Sequence, residues 1–457
     1  MKRFVIFSIA FFIAAISSGQ DVGSFTLEQC IQYALENQVN YKNAQLDVIA
    51  AKARVGEVRS SLLPHINASA GLRENTQLQR MFMDPNNPFA QGASGPPAGA
   101  EMSGGIIVMP NLFQLRSAGD ASATVSQVIF DGTYILGLRA SKNYKELIGK
   151  NLVRTKIQTV EGVMKAYYLV LINQERINQL KSSLARLDSS LRQTRAMYEA
   201  GFVEKIDVDR LSVAYNNLMT DEVKFLKGVE LSKLILKFQM GMPVDQEINL
   251  TTSITQMKED TTVLAVATTD YNSRIEYSIL QSEKEMRELQ VQGVRAGYFP
   301  TLSAFATGGF IRMDKQFSNL FTNKWYSYSL MGINLSVPVF DGFNKKYRSQ
   351  QAKIEANKTE NNITMLKNAI DLEVRQASVQ LSNAKKDLEI QGRNVELAKE
   401  VVRVVKIKYR EGVGSNLEVT NAEDELRTAQ TNYYNALYDF IIAKIDYDKA
   451  LGVLVKQ

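Results

Sequence analysis

The chain has 457 residues, of which 45% are hydrophobic and 22% are charged, a balance that is ordinary for a folded protein. Its net charge of +6 is spread along the sequence, which favours a solvated surface over a nucleic-acid footprint. The single cysteine, Cys30, excludes an internal disulfide, and any catalytic Cys-His pair or Cys/His zinc site would depend on Cys30 and the single histidine, His65. We therefore expect no enzymatic activity, no metal site and no cofactor.

The N-terminus has the pattern of an export signal. Lys2 and Arg3 precede an apolar run over residues 4–16, and small residues follow it. This order predicts a secretory signal peptide over residues 1–19. A membrane anchor is the alternative, but the run is shorter than the ~20 residues that a spanning helix needs.

The first half of the mature chain, residues 20–250, predicts a helix, a β-hairpin at about 62–130 and a helical hairpin over 133–241. The β-hairpin contains a long loop over 73–118, in which residues 83–105 are rich in Pro, Gly and small side chains and predict a flexible segment. Residues 111–242 lack proline, so they allow a helix of roughly 100 Å at ~1.5 Å per residue. Its hairpin turn is expected near 201–207.

The second half, residues 251–457, repeats this order. It predicts a helix, a β-hairpin at about 299–340 and a helical hairpin over 343–452 that turns near 412–418. The tripeptide FDG occurs at 130–132 and again at 340–342. The turn sequences MYEAGFVEKIDV and KYREGVGSNLEV lie 211 positions apart. We interpret the chain as internally duplicated.

The long helices carry apolar residues at every seventh position, a period that predicts left-handed coiled coils. Taken alone, this would fit a coiled-coil structural protein without a pore. The clearest series are Val374, Leu381, Leu388, Val395, Val402 and Tyr409 in one helix, and Val419, Leu426, Tyr433, Phe440 and Tyr447 in the next.

The predicted strands alternate apolar and polar residues over about ten positions and have aromatic residues near their ends. This is the pattern of a transmembrane β-strand, although an amphipathic sheet on a soluble core is the alternative. Four strands cannot close a barrel, and open strand edges are not viable in lipid. Strands that span a membrane would therefore have to be pooled by an oligomer, as eight strands from two chains or twelve from three.

The signal peptide, the duplication, both FDG motifs and the turn pattern Y-x-x-G-x-x-x-x-x-[DE]-V together resemble the TolC family of outer-membrane efflux proteins. The resemblance implies a mixed α and transmembrane β fold with four β-strands and very long coiled-coil helices in each chain. It implies a homotrimer with a 12-stranded β-barrel in the outer membrane of a Gram-negative bacterium, continued by an α-helical periplasmic barrel. A mixed belt is implied near residues 243–265.

The resemblance also implies site residues at the two helical turns. A pore constriction falls on Asp207, Glu418 and Asn421, of which Asn421 stands where the family has an acid. Gly414 stands where the family often has a basic residue of the gate. The residues expected in tip turns, adaptor docking and gating are Tyr198, Gly201, Tyr409, Gly412, Gly414 and Ser415.

Seven of these nine residues also have a purely structural interpretation. Ser415 and Glu418 fit a capping box, and the carboxylate of Asp207 suits a helix N-terminus. The two tyrosines lie in the heptad register and could pack in the helical seam. The two glycines at 201 and 412 fit helix C-caps.

The sequence therefore predicts a passive trimeric outer-membrane channel of a tripartite efflux or type I secretion system. Its expected partners are a periplasmic adaptor (membrane fusion protein), an inner-membrane pump of the RND, ABC or MFS type, and outer-membrane lipid. The alternative is a non-channel periplasmic or surface coiled-coil protein. The sequence does not indicate the substrate, because Met81, Met83, Met102 and Met109 are too scattered along it to suggest a copper site.

Overall fold

The computed structural model describes residues 24–88, 99–111, 113–252 and 270–455. The predicted signal peptide lies outside these residues, as does most of the segment at which the mixed belt is expected. Within them the chain folds as two compact units. A helical unit contains the chain up to residue 49, residues 146–282 and the chain from residue 360 onward. A sheet unit contains residues 50–145 and 283–359.

The helices of the described residues include two that are unusually long, with 68 and 67 residues. Both run through proline-free sequence, which keeps every backbone N–H available for the helical ladder. None of the described helices is long and apolar enough to cross a membrane. The helices are α1 Leu27–Asn37, α2 Val39–Ser60, α3 Gly132–Glu199, α4 Lys205–Met240, α5 Ile275–Ala296, α6 Asn319–Thr322, α7 Asn344–Arg410 and α8 Asn416–Ala450.

The main sheet has four antiparallel strands in the order β2-β6-β8-β9. A second sheet has the order β3-β5-β4, and β1 pairs with β7 in parallel. The strands are β1 Ser24–Phe25, β2 His65–Glu74, β3 Arg80–Met83, β4 Glu101–Ser103, β5 Ile106–Pro110, β6 Ser117–Phe130, β7 Asn249–Leu250, β8 Thr301–Asp314 and β9 Tyr326–Ser336.

The two faces of the main sheet differ in polarity. Directly paired residues share a face, so the register places Ser69 beside Ser122 and Thr124 beside Thr307 on one face. Their hydroxyl oxygens lie 3.2 and 2.9 Å apart, respectively. The opposite face carries exposed apolar side chains and the alanines of the same strands, including Ile66, Ala68, Ala70, Met331, Ile333 and Leu335.

Strand β9 is shorter than the alternating sequence suggests. The apolar and polar alternation continues to Val339, but the strand ends at Ser336. Pro338 lacks a backbone N–H and so cannot donate to a strand ladder, which accounts for the early end.

The long loop of the first β-hairpin contains three short strands. β3 ends and β4 lies within residues 83–105, for which we predicted flexibility, and residues 89–98 of that segment lie outside the described part. Both strands pair with β5, on which Ile107 and Met109 are buried against Met81 and Met83. The sequence did not predict this sheet, because these apolar residues become neighbours only when the strands pair.

Each FDG motif lies at the connection between a strand of the main sheet and the long helix that follows it. The Asp131 carboxylate accepts hydrogen bonds of 2.8 and 2.7 Å from the backbone N–H and the hydroxyl of Thr133 at the start of α3. The Asp341 carboxylate accepts a 3.0 Å bond from the backbone N–H of Lys345 in α7. Each aspartate therefore satisfies a backbone donor of the first helical turn, which a helix cannot satisfy internally.

The helical unit is packed along the predicted heptads. Residues of the predicted seam are buried along α7 and α8. The first helical hairpin has its own leucine seam between α3 and α4. The seam residues of α7 and α8 include Val374, Leu381, Val402, Leu426, Phe440, Ala422, Ala443 and Ala450.

Candidate functional site

The first helical turn joins α3 to α4 and requires a glycine. Gly201 has φ +81°, a left-handed conformation that residues with a Cβ rarely adopt. The next residue, Phe202, donates its backbone N–H to the carbonyl of Met197 over 2.9 Å. This closes α3 in the manner of a Schellman motif.

The second turn joins α7 to α8 and uses two glycines for different reasons. Gly412 has φ +77° and ends the helix as Gly201 does. At Gly414 a Cβ would lie 2.9 Å from the backbone nitrogen of Tyr409 and 3.1 Å from atoms of Lys408. This turn therefore leaves no room for the basic side chain that the family resemblance places at position 414.

The start of α8 is capped by Ser415. Its hydroxyl oxygen accepts a 3.2 Å hydrogen bond from the backbone N–H of Glu418, the first of the two bonds of a capping box. The Glu418 side chain is exposed, and so is that of Asn421 one turn further along. Asp207 is half-buried in the first turn of α4, where the helix dipole favours a negative charge.

Asn416 connects the two turns. Its side chain is only 4% exposed, and its Nδ2 atom donates a 2.9 Å hydrogen bond to the backbone carbonyl of Asp207. Its Oδ1 atom is buried and has no hydrogen-bond partner among the residues that the structure describes. Asn416 thus connects two predicted constriction residues. It is hydrogen-bonded to Asp207 and lies two positions before Glu418 in the sequence.

The two predicted gate tyrosines differ in their surroundings. The Tyr409 hydroxyl lies 3.1 Å from the hydroxyl of Thr194, a fully buried residue of α3. This contact joins the second hairpin to the first. Tyr198 is exposed, so it does not pack in the seam of its own chain as the heptad register predicted.

A buried carboxylate links three helices beyond the turns. Glu423 of α8 accepts a hydrogen bond of 3.2 Å from Arg186 of α3 and lies 2.5 Å from the ammonium of Lys406 in α7. Heptad positions alone did not point to these residues, because their spacing carries no information on pairing between the two hairpins.

A second charged cluster joins α3 to α8. The Lys165 ammonium lies 2.8 Å from Glu161 and 2.6 Å from Asp446, while Lys449 lies 2.9 Å from Glu161. Burial opposes the ionisation of Glu161, but hydrogen bonds from both lysines outweigh it and hold the pKa of this carboxyl below its ordinary value. The ionised carboxylate therefore stabilises the contact between the two helices.

Both turns present apolar side chains to solvent that sequence reasoning missed. Phe202 and Val413 directly follow the two helix-ending glycines and are 79% and 78% exposed. Ile206 and Leu417, at the starts of α4 and α8, are also exposed. The members of each pair lie 211 positions apart, so the repeat offset could have identified them.

Other candidate groups have structural roles. Three of the methionines judged too scattered for a copper site, Met81, Met83 and Met109, in fact share the apolar cluster of the second sheet. In the described residues no group of three or more His, Cys, Asp or Glu side chains could hold a metal ion. Cys30 is fully buried in α1, and burial, with a contribution from Glu28, raises the pKa of its thiol to about 12.

Two segments of the chain, residues 30–227 and 280–453, match the family model described as outer membrane efflux protein. The chain belongs to the outer membrane efflux protein family. The resemblance to TolC inferred from the signal peptide and the turn motifs is thereby confirmed. Members of this family are channel proteins rather than enzymes, and this efflux protein is located in the outer membrane.

Known efflux proteins align with nearly the whole of this one. TolC of Vibrio cholerae is 22% identical over 461 residues, which cover 100% of this chain and 97% of TolC. The antibiotic efflux pump outer membrane protein ArpC of Pseudomonas putida is 23% identical, covering 93% of this chain and 82% of ArpC. The open-state structure of the MtrE outer membrane channel of Neisseria gonorrhoeae superposes with a TM-score of 0.72 at 15% identity, covering 94% and 89% of the two chains. This efflux protein therefore has the fold of an outer membrane channel.

Proposed function

We propose that three copies of this chain form a passive export channel, with a 12-stranded barrel in the outer membrane and an α-helical barrel in the periplasm. The observation that carries the proposal is the four-stranded sheet. Its edge strands β2 and β9 pair on their outer edges with no strand of the described residues, and its apolar face is exposed. Unpaired strand edges are not viable in lipid. Pairing β2 of one copy with β9 of the next closes the sheet at three copies.

The long helices also support assembly. On α7 a stripe of exposed apolar residues runs apart from the seam with α8, spaced by seven except for one step of eleven. Such a stripe fits a second coiled-coil contact. Because the seam keeps its period of seven across the longer step, the stripe moves there to a different heptad position. In the proposed trimer, a neighbouring copy packs against this stripe. The stripe consists of Met365, Leu372, Val379, Ile390, Leu397 and Val404.

An internal duplication accounts for the order of elements. Helix, two strands of the main sheet and two long helices occur in this order in residues 20–250 and again in 251–457. The chain would then supply two similar hairpins, and three copies would supply six turns around one periplasmic entrance.

The turns form the proposed gate and constriction. Asp207, Glu418 and Asn421 line the constriction, and the acids favour cations over anions. Tyr198 and Tyr409 belong to the gate, in which the Tyr409 contact with Thr194 holds the second hairpin against the first. The glycines at 201, 412 and 414, with Ser415, shape the turns on which the adaptor docks.

The proposed partners are a periplasmic adaptor and an inner-membrane pump of the RND, ABC or MFS type, which together supply energy and substrate in efflux or type I secretion. The exposed apolar pairs at the two turns support adaptor docking. Phe202 and Val413 project from the turns themselves, where a partner can cover them without disturbing a helix.

Cysteine cross-linking tests the closed barrel. In a Cys30→Ala background, single cysteines at alternate positions of β2 are combined with single cysteines at alternate positions of β9. Within one chain these strands are separated by about three strand spacings, roughly 14 Å, beyond the reach of a disulfide. Disulfide-linked dimers and trimers are therefore expected only if neighbouring copies pair.

The control for this experiment lies within one chain. The combination of Thr124→Cys and Thr307→Cys places two cysteines on paired strands, whose hydroxyls lie 2.9 Å apart in the unaltered protein. It should give an internal disulfide and no oligomer. If this control oxidises while every β2 and β9 combination stays monomeric in detergent, the trimeric barrel is refuted.

A further inference from the structure

Asn416 occupies an unusual position for a polar residue. It is the first residue of α8 and is 4% exposed, with Val419 and Ala422 of the helical seam buried close to it in sequence. Its amide reaches across to the other hairpin, where Nδ2 donates to the Asp207 carbonyl over 2.9 Å. The contact therefore joins the first turns of α4 and α8.

Packing alone does not explain an asparagine here. The Oδ1 atom is buried and accepts no hydrogen bond from the described part of the chain, which is unfavourable because the atom has lost its water. Leucine has a similar shape, would fill the same space and would leave no polar atom unpaired. Departures of this kind from local stability tend to lie at functional sites.

Helix capping does not explain it either. Ser415 already caps α8 through its bond from the Glu418 N–H. The Asp207 carbonyl lies within α4, so the helix ladder offers it a partner without Asn416. The remaining effect of the amide is geometric, because it sets the level of Asp207 relative to the start of α8, where Glu418 lies.

We propose that Asn416 is a positioning residue of the channel constriction. It holds the acids Asp207 and Glu418 of the two hairpins at one level of the entrance, so that their fields add on a passing ion. Gly414 cannot serve in this way, because its turn has no room for a side chain. This inference rests on the proposed constriction.

The test is the reversal potential of single channels in planar bilayers under a KCl gradient. Replacing both acids, Asp207→Ala with Glu418→Ala, should lower the cation-over-anion permeability ratio by roughly tenfold, since several like charges are removed from one narrow entrance. Asn416→Leu should lower the ratio by roughly threefold, because the acids remain but no longer act at one level. The matched control is Asn432→Leu, an exposed position of the same helix, which should leave the ratio unchanged.

The decisive measurement adds Asn416→Leu to the channel that lacks both acids. If Asn416 acts through the acids, Asn416→Leu should not lower the permeability ratio further in that channel. If it acts independently of the acids, the two effects on the ratio should add. An additive effect, or an Asn416→Leu channel with the wild-type ratio, overturns the role of Asn416. An unchanged ratio after loss of both acids instead refutes the proposed constriction itself. Thermal stability of Asn416→Leu should equal or exceed that of the wild type.

Discussion

Glu423 offers a direct test of how the two hairpins are held together. Its side chain is 11% exposed and contacts Arg186, at 32%, and Lys406, at 28%. Replacing it by glutamine keeps the size of the side chain but removes the charge that both cations share. The adjacent acid, Asp424, provides a matched control, because its side chain is 69% exposed and its partner Arg427 lies on the same helix.

The expected magnitude follows from these exposures. Removing one partner of a fully buried ion pair costs about 3–5 kcal/mol, and an exposed pair contributes about 0–1 kcal/mol. The Glu423 cluster lies between these limits, so we expect Glu423→Gln to lose about 2 kcal/mol per chain. Asp424→Asn should lose about 0.3–0.5 kcal/mol, the usual contribution of a pair on one helix surface.

The assay is the rate of unfolding of the detergent-solubilised protein in denaturant, followed by far-UV circular dichroism. A rate can be compared between variants whether or not the unfolding is reversible. A loss of 2 kcal/mol corresponds to an acceleration of up to roughly thirtyfold. Equal rates for Glu423→Gln and Asp424→Asn would mean that the ion pairs of Glu423 do not hold the two hairpins together.

Four further predictions follow from the same contacts. Tyr409→Phe should destabilise the closed tip by about 1 kcal/mol through loss of its hydrogen bond; single-channel recordings should show longer openings, and unchanged open times would contradict this. Phe202→Ser combined with Val413→Ser should weaken adaptor binding by roughly tenfold in surface plasmon resonance, since two exposed apolar contacts are lost. The Cys30 thiol should not react with a maleimide until the protein unfolds, and rapid labelling of the native protein would refute its burial. The pKa of Glu161 is lowered from 4.5 in the folded protein, so the ionised carboxylate stabilises the fold above that pH. This stabilisation is lost as the pH falls through the folded-state pKa. Acid should therefore accelerate unfolding less in Glu161→Gln than in the wild type.

The sequence predicted the helices well, for physical reasons that are local. Proline-free stretches with a seven-residue apolar period can form few structures other than long packed helices. Gly201 and Gly412 marked the turns because only a residue without a Cβ adopts their backbone conformation easily. The hydrogen bonds that the aspartates of the two FDG motifs accept at the starts of α3 and α7 were not predicted from the sequence.

Contacts between distant parts of the chain were beyond the sequence. The bond from Asn416 to the Asp207 carbonyl depends on how two hairpins dock, and no spacing within either hairpin encodes it. The second sheet was missed because Met81 and Met109 become neighbours only when their strands pair. The exposed stripe of α7 had the same period as the buried seam, so burial was needed to tell the two apart.

Single-channel conductance of the purified protein can decide whether this efflux protein forms the proposed trimeric channel. Detergent-extracted trimers added to a planar lipid bilayer should insert and give discrete, uniform current steps that favour cations. Absence of current under conditions in which a known porin conducts would contradict the account, particularly if the protein were soluble without detergent as an elongated dimer.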